Sequence, residues 1–204
     1  MQVIFRAKDQ MESLVRNFLL MARSNLGTRS ETDVGALVED VIESLTVGAE
    51  WNPGVALRKE LGRDLRIMGD PAELRQVLWN LMINAIQSMP EGGTLSVTAC
   101  PDGDNGDARA VRVEIGDTGS GIDTAQREKI WEPFYTTKER GSGLGLAIVR
   151  RIVESHGGAV SVQSDASRGT RFRVRLPRLE SDAEAVARDA EQPERQDAVA
   201  GAAR

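Results

Sequence analysis

A stripe of polar side chains runs through an otherwise apolar stretch of sequence between Glu73 and Met89. Its members recur at steps of three or four residues, which places them on one face of a helix: Glu73, Gln76, Asn80, Asn84 and Gln87. Asn within a helix is a poor helix former, with a penalty of roughly 0.5 kcal/mol relative to Ala. The stripe is therefore either a half-exposed polar surface or an amide-lined wall that faces a polar ligand or a metal ion.

Three glycine-containing segments follow this helix, and each stands beside a polar or charged side chain. They span residues 117–122, 134–146 and 169–170. Each has a physical role if the ligand is a nucleotide. An Asn oxygen suits Mg²⁺, which takes oxygen ligands and keeps several waters and phosphate oxygens. Asp117, at the end of an apolar strand pattern, can accept the exocyclic amine of adenine, and the glycines after it let the backbone approach the base.

The second glycine segment offers groups for phosphate. Gly141, Gly143 and Gly145 precede a predicted helix, whose free N–H groups and positive dipole end can face anions. Lys138 and Arg140 can neutralise phosphate charge, although both can equally be ordinary solvated charges. Taken singly these signals are weak, because the segment lacks the dinucleotide spacing and the chain contains no P-loop. Asp-Thr-Gly at 117–119 is also an aspartic-protease signature, which requires a second copy or a homodimer.

Composition restricts the function classes. The 204 residues carry a net charge of −5 without a long basic run, which argues against a nucleic-acid partner. Hydrophobic residues at 40% and charged residues at 28% are typical of a soluble globular protein. The single cysteine, Cys100, excludes an internal disulfide and fits a reducing compartment. No apolar run reaches a membrane span or a signal peptide, so we expect a cytoplasmic chain, which can still be the soluble end of a membrane-anchored protein.

Four regions are predicted along the chain. Residues 1–26 form a long amphipathic helix with a coiled-coil or bundle seam, which implies partner helices. Residues 27–32 form a short polar linker, and 33–179 form the main domain. Residues 180–204 contain seven acidic residues and three Arg and are predicted to be disordered.

The main domain reads as alternating helices and strands. The helices are predicted from Val34 to about Val47, through the polar stripe, and from Leu144 to His156, with Asp33 and Asp70 as N-caps of the first two. The strands are predicted from alternating apolar residues around positions 55–57, 65–67, 95–99, 111–115, 160–162 and 172–176. Residues 118–143 read as a long loop, and loops of that length are usually functional or disordered.

In combination and in this order, these segments resemble the ATP-binding catalytic domain of bacterial sensor histidine kinases, in the wider group of gyrase, Hsp90 and MutL-type ATPases. The resemblance covers roughly residues 33–179. It implies three catalytic residues, of which the second is the Mg²⁺ ligand: Asn80, Asn84 and Lys138. It further implies the ATP-binding residues Asn84, Asp117, Gly119, Gly121, Ile122, Lys138, Arg140, Gly141, Ser142, Gly143, Leu144, Gly145, Leu146 and Thr170.

The fold implied by the resemblance is an α/β (α+β) two-layer sandwich, in which three helices cover a mixed, largely antiparallel sheet. Residues 1–26, which precede it, resemble the second helix of the family's dimerisation and phosphotransfer hairpin, and this long dimerisation helix implies a homodimer in the full-length protein. The implied activity is that of a protein-histidine kinase. The ATP γ-phosphoryl group passes to a His on a dimerisation helix and then to an Asp of a response-regulator receiver domain.

Two departures from the family pattern matter. The helix that carries the phospho-accepting His is missing, and the only histidine, His156, reads as a structural residue at a helix end. We therefore expect a truncated kinase that is inactive in cis, or a natural relative without the acceptor. Gln87 stands where many relatives have Lys, so Lys138 or Arg140 is expected to compensate. Two alternatives stay open: a Ser/Thr kinase of the anti-sigma-factor type, and a non-catalytic nucleotide-binding or dimerisation module.

Overall fold

The computed structural model describes residues 28–103, 109–138, 141–166 and 168–179. The helix predicted for residues 1–26, the acidic tail predicted for 180–204 and the predicted phosphate contact Arg140 lie outside the described residues. In the part of the chain that is described, no helix is long and apolar enough to cross a membrane.

Seven strands and three longer helices make up the described domain. The strands are β1 (Ser30–Asp33), β2 (Val55–Leu61), β3 (Arg66–Gly69), β4 (Gly93–Asp102), β5 (Ala110–Asp117), β6 (Ala159–Asp165) and β7 (Gly169–Pro177). The helices are α1 (Val34–Thr46), α2 (Pro71–Gln87) and α3 (Gly145–Ser155). Two short 3₁₀ turns, Thr124–Gln126 and Lys129–Trp131, lie between β5 and α3.

Five strands form one mixed sheet in the order β2-β4-β5-β7-β6. Only β2 and β4 pair in parallel, and the other neighbours are antiparallel. Alternate side chains of the central strands are buried beneath the helices, as Leu95, Val97 and Ala99 of β4 show with 0% exposure. The predicted sandwich of three helices on a mixed, largely antiparallel sheet is therefore confirmed, apart from its preceding helix, which lies outside the described residues.

The two predicted helix starts are confirmed by their hydrogen bonds. Asp33 lies in extended backbone and its side chain accepts from the N–H groups of Gly35 and Ala36. Asp70 does the same for Ala72 and Glu73, at 2.8 and 3.4 Å. Each carboxylate satisfies N–H groups that the first turn leaves without a helical partner, and its charge complements the helix dipole. The helix α2 that carries the amide stripe therefore begins at a fixed point.

A strand begins within the segment 27–32, for which a polar linker is predicted. Ser30–Asp33 form β1, which pairs antiparallel with β3 in a separate two-stranded ribbon. Only Thr32 of this strand is buried, so the local sequence lacks the apolar alternation by which a strand is recognised. The long loop at 118–143 also contains structure, because Ile130 is buried and the Trp131 ring packs edge-on against Phe172, with centroids 6.0 Å apart.

Candidate nucleotide-binding site

Two amides of the polar stripe converge on one cation. Asn84 and Gln87 lie in the last turns of α2, and Lys138 reaches them from the loop that precedes α3. The Lys138 ammonium donates to Asn84 Oδ1 at 2.9 Å and to Gln87 Oε1 at 2.8 Å. The end of the stripe at Asn84 and Gln87 therefore presents two oxygen atoms to a positive charge, and the Asn84 oxygen already has a cation as its partner.

Asn80, one helical turn earlier, faces the start of α3. Its Nδ2 donates to the backbone oxygen of Gly145, the first residue of α3, at 3.4 Å. Asn80 thus joins the amide wall to the helix N-terminus that was predicted to meet phosphate. Its amide group can hold this contact, but it cannot remove a proton from water.

A buried carboxylate lies at the other side of the site. Asp117 ends β5 and is 9% exposed. Its Oδ1 accepts from the N–H groups of Gly119 at 2.9 Å and Thr170 at 3.2 Å. Burial raises the pKa of Asp117 above its ordinary value, whereas these hydrogen bonds and the charge of Lys138 oppose the rise.

Burial shifts the pKa of Lys138 in the opposite direction. Although the residue is exposed to solvent, the protein around its ammonium partly desolvates it and lowers the pKa of Lys138. The nearby charge of Asp117 opposes this effect. The site therefore carries a positive charge at Lys138 and a negative charge at Asp117, and each charge acts on the other.

The glycines after Asp117 are required by the packing of the chain itself. A Cβ on Gly119 would lie 2.8 Å from the Ser88 carbonyl carbon. Gly121 has a φ of +71°, and its Cβ would lie 2.9 Å from the Asp165 carbonyl carbon. The sequence interpretation explained these glycines by approach of the backbone to a base, and the structure adds a reason that holds without any ligand.

The glycine segment before α3 forms a tight turn. Gly143 has a φ of +68°, and a Cβ there would lie 2.7 Å from Phe134 Cα. The N–H of Phe134 donates to the Gly143 oxygen at 2.9 Å, and the Ser142 hydroxyl accepts from Leu144 N at 3.3 Å. The turn brings Gly141 close to Lys138, whose backbone oxygen accepts from Gly141 N at 3.1 Å.

Two serines that sequence reasoning missed fix the loop after Asp117. The Ser164 hydroxyl on β6 accepts from Ile122 N at 2.7 Å, lies 2.9 Å from Thr170 Oγ1 and donates to the Gly169 oxygen at 2.9 Å. Ser88 lies just beyond α2, and its backbone oxygen accepts from Ser120 N at 3.2 Å. Neither serine stands in a recognisable motif, since their roles depend on strand pairing and on the end of α2.

Three of the remaining predicted residues are apolar. Leu144 is 2% exposed and belongs to the core, with Ile122 and Leu146 packed against that core. Hydrogen bonds join Lys138 to Asn84, Asn80 to Gly145, and Gly119 and Thr170 to Asp117.

The donor set fits Mg²⁺ delivered with a nucleotide. Among the described residues no group of three or more His, Cys, Asp or Glu side chains could hold a metal ion. A single amide oxygen that already faces a cation suits an ion whose other ligands are waters and phosphate oxygens. The Lys138 ammonium lies on Asn84 Oδ1 in the place of a metal cation, which supports this fit.

Comparisons with known proteins agree with this arrangement. The family model described as "Histidine kinase-, DNA gyrase B-, and HSP90-like ATPase" matches residues 69–180. Sensor histidine kinase ZraS of Escherichia coli O157:H7 is 35% identical over 86% of this chain, and sporulation kinase A of Bacillus subtilis is 33% identical over the same share. The chain covers 37% and 28% of these two relatives, so it spans about a third of their length.

Solved structures give the same result. The catalytic domain of histidine kinase ThkA superposes with a TM-score of 0.63 at 31% identity, and the match covers 74% of this chain and 95% of that domain. Full-length ShkA in complex with AMPPNP gives a TM-score of 0.74 at 29% identity, covering 88% of this chain and 38% of ShkA. The chain therefore belongs to the family of histidine kinase-, DNA gyrase B- and HSP90-like ATPases, and within this family it is an ATPase catalytic domain of the sensor histidine kinase type.

Proposed function

We propose that this chain binds ATP together with Mg²⁺ and supplies the γ-phosphoryl group to a histidine on a dimerisation helix, from which it passes to an aspartate of a response-regulator receiver domain. The observation that carries the proposal is the position of Lys138. Its ammonium lies on the Asn84 oxygen and within electrostatic reach of Asp117. A cation and an oxygen suited to a metal ion thus lie in one site with a buried carboxylate. A nucleotide requires such a combination, because its phosphate end is charged and its base end is uncharged.

Each part of the site has a distinct role in this proposal. Asp117, oriented by Gly119 and Thr170, accepts the exocyclic amine of adenine. Lys138 and the N–H groups before α3 bind the phosphates. Asn84 holds Mg²⁺, which neutralises phosphate charge when it is bound. Arg140, outside the described residues, remains a proposed second phosphate contact.

The transfer needs positioning more than acid–base catalysis. In the proposed step the bond between the γ-phosphorus and the bridging oxygen breaks and ADP leaves, while a bond forms between that phosphorus and an imidazole nitrogen. Neutral imidazole is itself the nucleophile, so no group has to activate water. Asn80 supports this specificity, because its amide, bonded to the Gly145 oxygen, cannot serve as a base for hydrolysis.

The acceptor is a different histidine from His156. His156 is 5% exposed, its Nε2 accepts from Asp70 N at 3.0 Å, and its Nδ1 lies 2.8 Å from the Ile152 oxygen. Both ring nitrogens are therefore already used within the fold. We propose that the acceptor lies on a separate dimerisation helix, so this chain by itself does not phosphorylate its own histidine.

A transfer assay tests the proposal directly. The chain is mixed with ATP labelled at the γ-phosphorus, Mg²⁺ and a helical-hairpin fragment of a homologous kinase that carries the acceptor His. We expect label on the hairpin that is lost in acid and kept in alkali, as for phosphohistidine. Acid-stable label on Ser or Thr would indicate the anti-sigma type of kinase, and nucleotide binding without transfer would indicate a non-catalytic module.

A further inference from the structure

Lys138 is held by two neutral amides rather than by a carboxylate. Its Nζ contacts Asn84 Oδ1 and Gln87 Oε1 at 2.9 and 2.8 Å, and Asp117 acts on it only through its charge. A neutral acceptor binds an ammonium less tightly than a carboxylate does. This contact is therefore strong enough to define a position for the ammonium and weak enough to be exchanged.

The position that Lys138 occupies is incompatible with a metal ion on the same oxygen. Mg²⁺ binds oxygen at about 2.0–2.1 Å, so an ion on Asn84 Oδ1 would lie within a few Å of the ammonium in its present position. Two positive charges at that separation repel each other strongly in a partly desolvated site. One of them must leave when the other binds.

The chain around Lys138 allows the ammonium to move while the backbone stays in place. The N–H of Lys138 donates to Thr136 Oγ1 at 3.1 Å, and the Lys138 oxygen accepts from Gly141 N at 3.1 Å. The backbone is thus fixed in a turn beside the glycine segment that leads to α3. A four-carbon stem on this anchor can redirect the charge from the amides to a neighbouring phosphate.

We propose that the side-chain oxygen of Asn84 has two alternative occupants, the Lys138 ammonium, which Gln87 also holds, in the free chain and Mg²⁺ when a nucleotide is bound. This inference rests on the proposed function. Gln87 is a positioning residue here, because it stabilises only the free-chain position of Lys138. Binding of the metal nucleotide then releases Lys138 to the phosphates, so the metal ion and the lysine act in sequence on the same oxygen.

Calorimetric titration of the chain with AMPPNP at a series of Mg²⁺ concentrations tests the exchange. Gln87→Leu removes one bond of the free-chain position and leaves Asn84 and Lys138 in place. We expect the Mg²⁺ concentration for half-maximal nucleotide binding to fall about fivefold, which corresponds to the net contribution of one ordinary hydrogen bond. An unchanged or higher requirement would overturn the proposal.

A second background isolates the interaction. In chains that carry Lys138→Met, the free-chain occupant is gone, so adding Gln87→Leu should leave the Mg²⁺ requirement where Lys138→Met alone puts it. The two single changes and the double change form a double-mutant cycle, and the proposal requires strong non-additivity. Equal effects of Gln87→Leu in both backgrounds would show that Gln87 acts independently of Lys138.

The contact of Lys138 with Asn84 and Gln87 can also be measured without nucleotide or metal. Nuclear magnetic resonance follows the side-chain amide signals of Asn84 and Gln87, which should both shift in Lys138→Met. Lys129→Met, an exposed lysine of the same segment, is the matched control and should shift neither. Failure of the unchanged chain to bind AMPPNP at any Mg²⁺ concentration would overturn the proposed function and the exchange together, whereas normal binding without these shifts would overturn the exchange alone.

Discussion

The backbone N–H of Asp70 donates to His156 Nε2 at 3.0 Å and so joins the start of α2 to the end of α3. The other ring nitrogen, Nδ1, lies 2.8 Å from the Ile152 oxygen, which fixes the tautomer with the proton on Nδ1. The helix with the amide wall and the helix behind the glycine turn are therefore tied together at the ends remote from Lys138.

Replacing His156 should weaken the fold. We expect His156→Phe to lower the free energy of unfolding by about 1–3 kcal/mol, because it leaves the partly buried N–H of Asp70 without its partner. Thermal unfolding measures the change. Glu154→Gln, on the same helix end, removes only an exposed ion pair with Arg150 and should lower stability by less than about 0.5 kcal/mol. Equal effects of the two changes would contradict the bridging role.

Asp117→Asn should stabilise the chain while weakening its affinity for ATP. Because burial raises the pKa of Asp117 in the folded chain, the folded state holds the proton longer than the unfolded state, and stability falls as the pH rises from about 3.8 through the raised value. A neutral Asn of the same shape avoids this loss. We expect a higher melting temperature at pH 7 and a difference that shrinks as the pH falls toward 3.8.

The same substitution should weaken ATP binding at least about tenfold, since an amide placed there no longer offers the carboxylate acceptor. Calorimetric titration with ATP measures this effect. Asp40→Asn is the control, because Asp40 is exposed and forms a surface ion pair with Arg75. The site assignment would be wrong if Asp117→Asn bound ATP as tightly as the Asp40→Asn control.

Gly169→Ala should prevent stable folding. Gly169 has a φ of +88°, and its Cβ would lie 2.8 Å from the Asp117 carbonyl carbon, so the backbone of β5 or β7 would have to move. We expect a loss of more than about 3 kcal/mol in the free energy of unfolding. Gly157→Ala has a similar φ of +71° but meets only Pro177 Cγ at 3.6 Å, and should lose about 1 kcal/mol. Urea unfolding of both variants separates crowding from backbone strain.

Ser164→Ala should loosen the loop that follows Asp117. The hydroxyl of Ser164 serves Ile122 N and the Gly169 oxygen, so its loss should weaken ATP binding about three- to tenfold. Ser164→Thr keeps the hydroxyl and should restore much of the affinity. Ser161→Ala, an exposed position of the same strand, should change nothing measurable. If Ser164→Ala binds ATP as Ser161→Ala does, Ser164 has no positioning role.

Asn84→Ala should abolish the effect of Mg²⁺ on nucleotide binding. Its side-chain oxygen is the proposed protein ligand of the ion, and the alanine offers none. The unchanged chain with a chelator is the matched reference, because it lacks the ion and keeps the residue. We expect Asn84→Ala with Mg²⁺ to bind ATP no better than this reference, as measured by calorimetric titration. A variant that still responds to Mg²⁺ would remove Asn84 from the metal site.

The sequence predicted the elements whose periodicity is strong. The helices that follow Asp33 and Asp70 and the alternating strand that contains Leu95 were recognisable, because capping chemistry and two-residue alternation are local signals. The strand β1 was missed, since its burial comes from pairing with β3 rather than from its own apolar residues. Local patterns do not report a partner that lies more than thirty residues away in the chain.

The candidate site shows the same division. Asn84, Asp117 and the glycines stand in ordered motifs, so their types and spacing predicted them. The bond from Lys138 to Gln87 and the position of Ser164 depend on how the loop before α3 and strand β6 approach the rest of the domain. The sequence named Lys138 as a residue that could compensate for the lysine absent at position 87, but it did not predict how Lys138 would contact Gln87.

Both ends of the described domain are fastened to one short strand. β1 enters along β3, while Leu179 N donates to the Arg66 oxygen at 2.8 Å and Ile67 bridges to Arg178 as the chain leaves. β3 leads directly into Asp70 and α2. In mechanical terms, tension applied to the chain on either side would be borne in part by β3, next to the helix on which Asn84 stands.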